Sequence, residues 1–264
     1  MHIYSFLQAV REKRPLVHHI TNWVTIFDCA QIVKSFGASP VMAHAPEEAA
    51  AMTGIASALV LNIGTLTSEV VESMKISAAA ANRKGIPVVF DVCGAGATSF
   101  RDEKAMEIIN GTHIDVIKGN SSEIARIAGQ AVETKGVDAG QVSVDLREIA
   151  KSLSAKRGCT VVITGAEDIV AGQGKLFLVR NGHPMMASLV GTGCMATSVI
   201  GTFVGAMPDQ TPEAAAAGLV CYEIAAEQAV KKSEGPASFR QQLFDCVYKL
   251  DEKQVRALQQ VDVI

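Results

Sequence analysis

The sequence predicts an α/β fold, a single domain over residues 1–264 built on a central, mostly parallel sheet flanked by helices. Three observations carry this. Short runs rich in β-branched residues alternate with longer stretches of helical periodicity. The runs are apolar throughout, as strands buried on both faces are. A chain of 264 residues, 48% hydrophobic and 19% charged, can bury such a sheet under two helical layers.

Taken in order, "MHIYSFLQAVREKRP" (1–15) carries its charges after its apolar residues and lacks a small-residue cleavage site, so it reads as a short helix and not an export signal. "ALVLNIG" (58–64) reads as a strand, followed by a helix over 67–84. "PVVFDV" (87–92) precedes a helix at 102–110, and "DVIKGN" (115–120) precedes one at 121–128. A helix from Val144 to Arg157 leads to the strand "TVVITG" (160–165). Short strands are expected between 169 and 186, with Asn181-Gly182 supplying a hairpin turn. Only helices are expected after that, at 194–206, 212–232, 238–250 and from Asp251 onward. No linker, repeat or low-complexity segment interrupts the pattern.

The stretch 181–208 has no Asp, Glu, Lys or Arg, a feature of membrane spans. Gly191, Gly193, Gly201, Gly205 and several hydroxyls interrupt it, so it reads as a buried interior helix preceded by a turn. Net charge is −3 and the 24 basic residues are scattered, which argues against nucleic acid or an anionic membrane as partner. Six cysteines without C-x-x-C spacing point to a reducing compartment, the cytoplasm, and away from disulfides or zinc.

In such a sheet, ligands gather beyond the carboxyl ends of the strands. That edge holds Asn62, Gly64 and Thr65; Asp91, Gly94 and Gly96; Lys118, Asn120 and Glu123; Thr164 and Gly165; and the "GTGC" turn of 191–194. A helix starting near Cys194 would converge the amides of 192–195 on one point and add the positive end of its dipole, a site for an anion. The same helix end should lower the Cys194 pKa. The tetrapeptide alone fits a small cysteine packed under a tight turn equally well. Asp91, ending a strand before two glycines, suits a metal-bound phosphate or a loop cap. Glu123 suits either the same chemistry or a helix start. Together, two carboxylates, a lysine and an anion hole are what phosphoryl transfer needs, although no Walker A sequence is present.

Seven motifs, "HHITNWVT" (18–25), "GASPVMA" (37–43), "LNIGTL" (61–66), "DVCGAGAT" (91–98), "IKGNSSEI" (117–124), "VITGAEDIV" (162–170) and "GTGC" (191–194), occur in the order found in hydroxyethylthiazole kinases, and the resemblance covers nearly the whole chain. It implies a ribokinase-like fold and ATP- and Mg²⁺-dependent phosphorylation of the primary alcohol of 4-methyl-5-(2-hydroxyethyl)thiazole in thiamine biosynthesis and salvage. It also implies a homotrimer with active sites between subunits.

By matching position, it implies that Met42 and Gly191 contact the thiazole and that Asn22 lines its pocket. Lys118 and Thr164 would bind ATP, with Asn120 near the phosphates and Gly193 in the anion hole. Asp91 and Glu123 would act through Mg²⁺ and its waters. Cys194 stands where related sugar kinases place an aspartate base. The chain departs from the pattern at Asp91-Val92-Cys93 for the usual Asp-Pro-Val, at Phe27 for an asparagine, and at Gly-Thr-Gly for Gly-Ala-Gly.

Two rival classes remain. One is an acyl-transfer enzyme with Cys194 as covalent nucleophile and His18, His19 or His183 as base, which leaves Asp91 and Glu123 unexplained. The other is a catalytically silent nucleotide-binding module. Within the kinase class, a related pyrimidine or sugar alcohol is the alternative acceptor. His2, His44 and His113 read as surface or loop residues, and Met52, Met185, Met186 and Met195 as core filler.

Overall fold

The computed structural model describes residues 2–130 and 145–264. Along the chain lie α1 (Ile3–Lys13), β1 (Leu16–Ile20), α2 (Ile26–Ser35), β2 (Ser39–Met42), α3 (Pro46–Ile55), β3 (Ala58–Asn62), α4 (Ser68–Lys84), β4 (Val88–Asp91), α5 (Ser99–Gly111), β5 (Val116–Asn120) and α6 (Ser121–Ile127). Then come α7 (Leu146–Arg157), β6 (Thr160–Thr164), β7 (Asp168–Gly172), β8 (Lys175–Val179), α8 (Thr192–Ala206), α9 (Thr211–Val230), α10 (Pro236–Lys249), α11 (Glu252–Leu258) and β9 (Val261–Val263). Val144, the expected start of the seventh helix, lies outside the described residues. Within them Asp145 caps α7 by accepting from the Arg147 amide at 2.9 Å.

The strands form one sheet in the order β2-β1-β3-β4-β5-β6-β7-β8-β9. From β2 to β6 every pairing is parallel; β7, β8 and β9 extend the sheet antiparallel. The unbroken hydrophobicity of the strands follows from burial on both sides. Val60 faces a core shared with α1, α2, α8, α9 and α10, while its neighbours Leu59 and Leu61 face the core under α4 to α7.

Two strands went unread in the sequence and two expectations are corrected. β1 and β2 escape a hydropathy reading because "LVHHI" holds two histidines and "SPVM" opens with a serine and a proline. Both histidines are buried: His18 meets Thr53 Oγ1 at 2.8 Å and the Ala43 carbonyl at 2.7 Å, and His19 meets the Val17 carbonyl at 3.1 Å. Burial lowers both imidazole pKa values, that of His19 to about 3, so each packs as a neutral ring. The hairpin turn is not at Asn181-Gly182 but at Gln173-Gly174, whose positive φ angles of 51° and 74° link β7 to β8. Asn181 instead holds the chain end, donating to the Leu258 carbonyl and accepting from the Gln260 amide, each at 2.8 Å. β9, finally, adds a strand where only helices were expected.

The uncharged stretch becomes α8, packed between the sheet and α9. Among the described residues no helix is long and apolar enough to cross a membrane. Gly201 sets the closeness of α8: a β-carbon there would stand 2.3 Å from Val60 Cγ2. Gly201→Ala gains up to about 1 kcal/mol of helix propensity but overpacks the layer, which costs about 1–3 kcal/mol. A net loss of stability at unchanged m-value is therefore expected in urea unfolding, and a stabilised variant would contradict the packing argument.

Candidate active site

The carboxyl edge of the parallel strands gathers most of the residues singled out above. Gly191 precedes α8 with φ 96°, a left-handed conformation, and a β-carbon there would stand 2.6 Å from Thr25 Cγ2. From this turn the helix opens with the amides of Thr192, Gly193 and Cys194 directed outward. The Met195 amide is not among them, because it closes the first helical bond to the Gly191 carbonyl at 2.8 Å. Three donors therefore point to one place, at the positive end of a 15-residue helix.

Beneath this turn Lys118, almost wholly buried in the middle of β5, sends its ammonium to the Gly193 carbonyl at 3.1 Å and to Asp91 Oδ2 at 3.3 Å. Burial alone would lower the Lys118 pKa, but the charges of Asp91 and Glu123 outweigh it and hold the ammonium protonated. Asp91 Oδ2 also accepts from Thr197 Oγ1 at 2.5 Å and Asn62 Nδ2 at 2.9 Å. Its second oxygen is buried with no partner.

Glu123 is both a cap and a charge. It closes a capping box with Asn120, its Oε2 accepting the Asn120 amide at 2.7 Å and its Oε1 the Gly94 amide at 2.6 Å. Asn120 Oδ1 is committed to the Glu123 amide and to Ser122 Oγ. Burial first and the nearby Asp91 second push the Glu123 carboxyl up to about 7.

Cys194 sits half-buried in the first turn of α8. Its sulfur accepts from Asn22 Nδ2 at 3.0 Å and Asn62 Nδ2 at 3.4 Å. The neighbouring Cys93 thiol draws its pKa down to about 7, with Lys118 acting in the same direction; burial and Asp91 oppose them. Asn22 is fixed in turn by accepting from the Thr25 amide and hydroxyl at 3.1 and 3.0 Å.

Thr164 ends β6 opposite Asn120, and with Gly193, Thr192, Met186 and Tyr222 it lines a cavity of about 550 Å³. Met186, expected in the core, is a half-buried wall of this cleft. Met42 ends the edge strand β2 beside His19, on the same sheet edge but with no hydrogen bond into the cluster. A separate cavity of about 720 Å³, lined by Asp115, Lys151, Cys159 and Gly174, opens near the opposite ends of the strands.

Thr197 and Arg101, which sequence reasoning passed over, hold the site together with Asn62, which it places on this edge without a role. Thr197 lies one helical turn beyond Gly193 and bridges Asp91 Oδ2 to the Gly193 carbonyl; a hydroxyl four residues after the glycine is the signal that could have found it. Asn62 ties Cys194 to Asp91. Arg101 donates to the carbonyls of Ile63, Gly64 and Cys93 at 2.7, 2.8 and 3.1 Å, clasping the loops that follow β3 and β4. The histidines required by an acyl-transfer reading are elsewhere engaged, His18 with Thr53 and Ala43 and His183 with the Met185 amide.

The sequence model of the hydroxyethylthiazole kinase family matches residues 7–253. The chain is 54% identical to the hydroxyethylthiazole kinase of Methanosarcina mazei over 97% of its own length and 98% of that protein. It is 48% identical to the enzyme of the same name from Moorella thermoacetica over 94% and 92% of the two chains. The solved hydroxyethylthiazole kinase protein of Pyrococcus horikoshii superposes with a TM-score of 0.91 at 36% identity, covering 99% of this chain and 98% of that one. A ribokinase-like superfamily protein of Enterococcus faecalis superposes at 0.63 with 16% identity over 92% and 94%, so the fold is ribokinase-like.

Proposed function

Because the chain belongs to the hydroxyethylthiazole kinase family, and so phosphorylates the hydroxyl of hydroxyethylthiazole with ATP as co-substrate, we propose that the transfer takes place in front of Gly193 and Cys194. The observation that carries this placement is the outward-facing amide trio of Thr192, Gly193 and Cys194 beside the buried Lys118–Asp91 pair. Developing charge on the γ-phosphate meets those three donors, which need no reorganisation during the step. The acceptor oxygen attacks the phosphorus in line. Cys194 lies beside that hydroxyl and takes its proton or orients it, a modest task when the transition state is loose and proton loss is late.

Met42 and Gly191 contact the thiazole and Asn22 lines its pocket. Thr164, Lys118 and Asn120 serve the nucleotide, which enters along the cleft between Thr164 and Met186. For Mg²⁺, the donor set fits a hard ion that arrives with the nucleotide. Asp91 offers a buried, unpartnered carboxylate oxygen and Glu123 is a second carboxylate nearby. Among the described residues no three His, Cys, Asp or Glu side chains are grouped to hold a metal, so the remaining ligands would be phosphate and water oxygens. Asp91 and Glu123 would hold the ion, whose charge neutralises the phosphates.

The whole chain acts as one kinase domain in the cytoplasm, and it assembles as a homotrimer with its sites between subunits, in thiamine biosynthesis and salvage. Trp23, Val24, Phe27 and Val190, each at least 60% exposed, support the assembly, since they follow Asn22 and flank Gly191. Light scattering is expected to give three times the chain mass, and Trp23→Glu to lower both that mass and turnover. A wild-type monomer with full activity would remove this reading.

The acceptor is tested by ADP release with Mg-ATP and hydroxyethylthiazole, against hydroxymethylpyrimidine, ribose and no acceptor. Turnover with the thiazole alone is expected. Cys194→Asp is expected to retain or raise kcat; a variant as inactive as one that blocks the amides would remove Cys194 from the proton path.

A further inference from the structure

Two carboxyl groups in the cleft have no part in the transfer as placed above. Asp168, at the start of β7, and Glu223, within α9, are 3% and 6% exposed, and both line the cavity of about 550 Å³ that also holds Thr192 and Gly193. Asp168 Oδ1 accepts from the Gly165 amide at 2.8 Å, but its Oδ2 is buried with no partner, and so is Glu223 Oε2. Donors stand close by and are committed elsewhere. One turn further along α9, Glu227 Oε1 accepts from Asn181 Nδ2 at 3.0 Å and from the Gly182 amide at 2.9 Å. The Glu223 carboxyl carbon lies 3.7 Å from where a Gly182 β-carbon would stand, yet neither of those donors is directed to it. Arg180, on the wall of the same cleft, donates to Glu167 and Asp262. Burial raises the Asp168 carboxyl above its ordinary value and that of Glu223 well above it, the charge of Asp168 adding to the second rise.

Buried acceptors without donors are costly, so these oxygens call for N–H groups brought by a ligand. A metal ion is the poorer complement, because among the described residues no third Asp, Glu, His or Cys is grouped with them. The phosphates belong at the amides of Thr192, Gly193 and Cys194, which leaves the rest of the cavity to the nucleoside. We propose that Asp168 and Glu223 select the nucleotide by its base, taking the two hydrogens of the adenine amino group on Oδ2 and Oε2. Ionised or protonated, each carboxyl keeps an oxygen that accepts. A purine with hydrogen in place of the amino group would fill the same space and leave both oxygens as they stand in the empty cleft, buried and unpartnered. The proposal rests on the reading that puts the nucleotide between Thr164 and Met186, and adds to it the side chains that read the base.

The test compares ATP with purine riboside triphosphate, which lacks only the amino group, as phosphoryl donors to hydroxyethylthiazole. The unmodified chain is expected to favour ATP in kcat/KM by at least about tenfold, since the analogue leaves buried acceptors unsatisfied. Glu223→Met removes one acceptor at similar length and should lower that ratio at least about threefold, chiefly through a higher KM for ATP. Its thermal midpoint should not fall, because the lost oxygen had no partner in the protein. Ala187→Trp serves as the control for the cleft itself: Ala187 is exposed on its wall, and an indole there should raise KM for both nucleotides alike. Unchanged KM in Ala187→Trp would move the nucleotide out of the cleft and take the role of the pair with it. Raised KM in Ala187→Trp, together with equal use of the two nucleotides by the unmodified chain or an unshifted ratio in Glu223→Met, would overturn the pair alone.

Discussion

Gly193→Val is expected to lower kcat by about a hundredfold or more while the unfolding midpoint hardly moves, since losing one preorganised oxyanion donor costs on the order of 10²–10³ in rate. The fold tolerates a β-carbon here: it would rest 3.4 Å from Lys118 Nζ, an ordinary contact. The branched side chain, however, would occupy the space in front of the three free amides. Gly191→Val separates the two effects. Its left-handed backbone and the 2.6 Å approach of Thr25 make it a stability lesion first. Steady-state ADP release together with thermal unfolding of both variants decides the matter. Unchanged kcat in Gly193→Val would leave the helix end without a part in the reaction.

Asp91→Ala should have the largest effect on stability. The carboxylate accepts from Asn62, Thr197 and Lys118, and its loss leaves a buried ammonium whose designed partner is gone. Breaking a buried pair from one side costs about 3–5 kcal/mol. The lower end applies here, because Glu123, freed from the like charge that helps push its carboxyl to about 7, ionises more readily and takes over part of the compensation. Adding Lys118→Met removes the orphaned charge and should restore much of the lost stability. Activity should not return. Urea unfolding and ADP release across the cycle test both halves, and full activity in the double variant would exclude the pair from the reaction.

What the sequence made legible is the part governed by local rules. β3, β4, β5 and β6 are continuous apolar runs with helices between them, and their carboxyl ends carry the residues that chemistry requires. The parts that were not legible depend on distant partners. β1 looks polar until Thr53 and the Ala43 carbonyl satisfy His18. The Asn181-Gly182 pair has the composition of a hairpin, but Asn181 is claimed by Leu258 and Gln260, some eighty residues along the chain. Thr197 and Arg101 carry no motif; only the folded chain brings a hydroxyl of α8 onto Asp91 and a guanidinium of α5 onto two loops.

The Arg101 clasp bears on the thermodynamics of ligand capture. Loops that order only on binding lose conformational freedom at that moment, at roughly 1–2 kcal/mol per residue. Here one guanidinium binds the carbonyls of Ile63, Gly64 and Cys93 before any ligand arrives, so the turns after β3 and β4 behave as one rigid plate. The entropy of shaping that plate is spent during folding. Substrate binding is correspondingly less opposed by ordering, and the affinity of this pocket reflects its contacts more directly than that of a pocket closed by a loose lid.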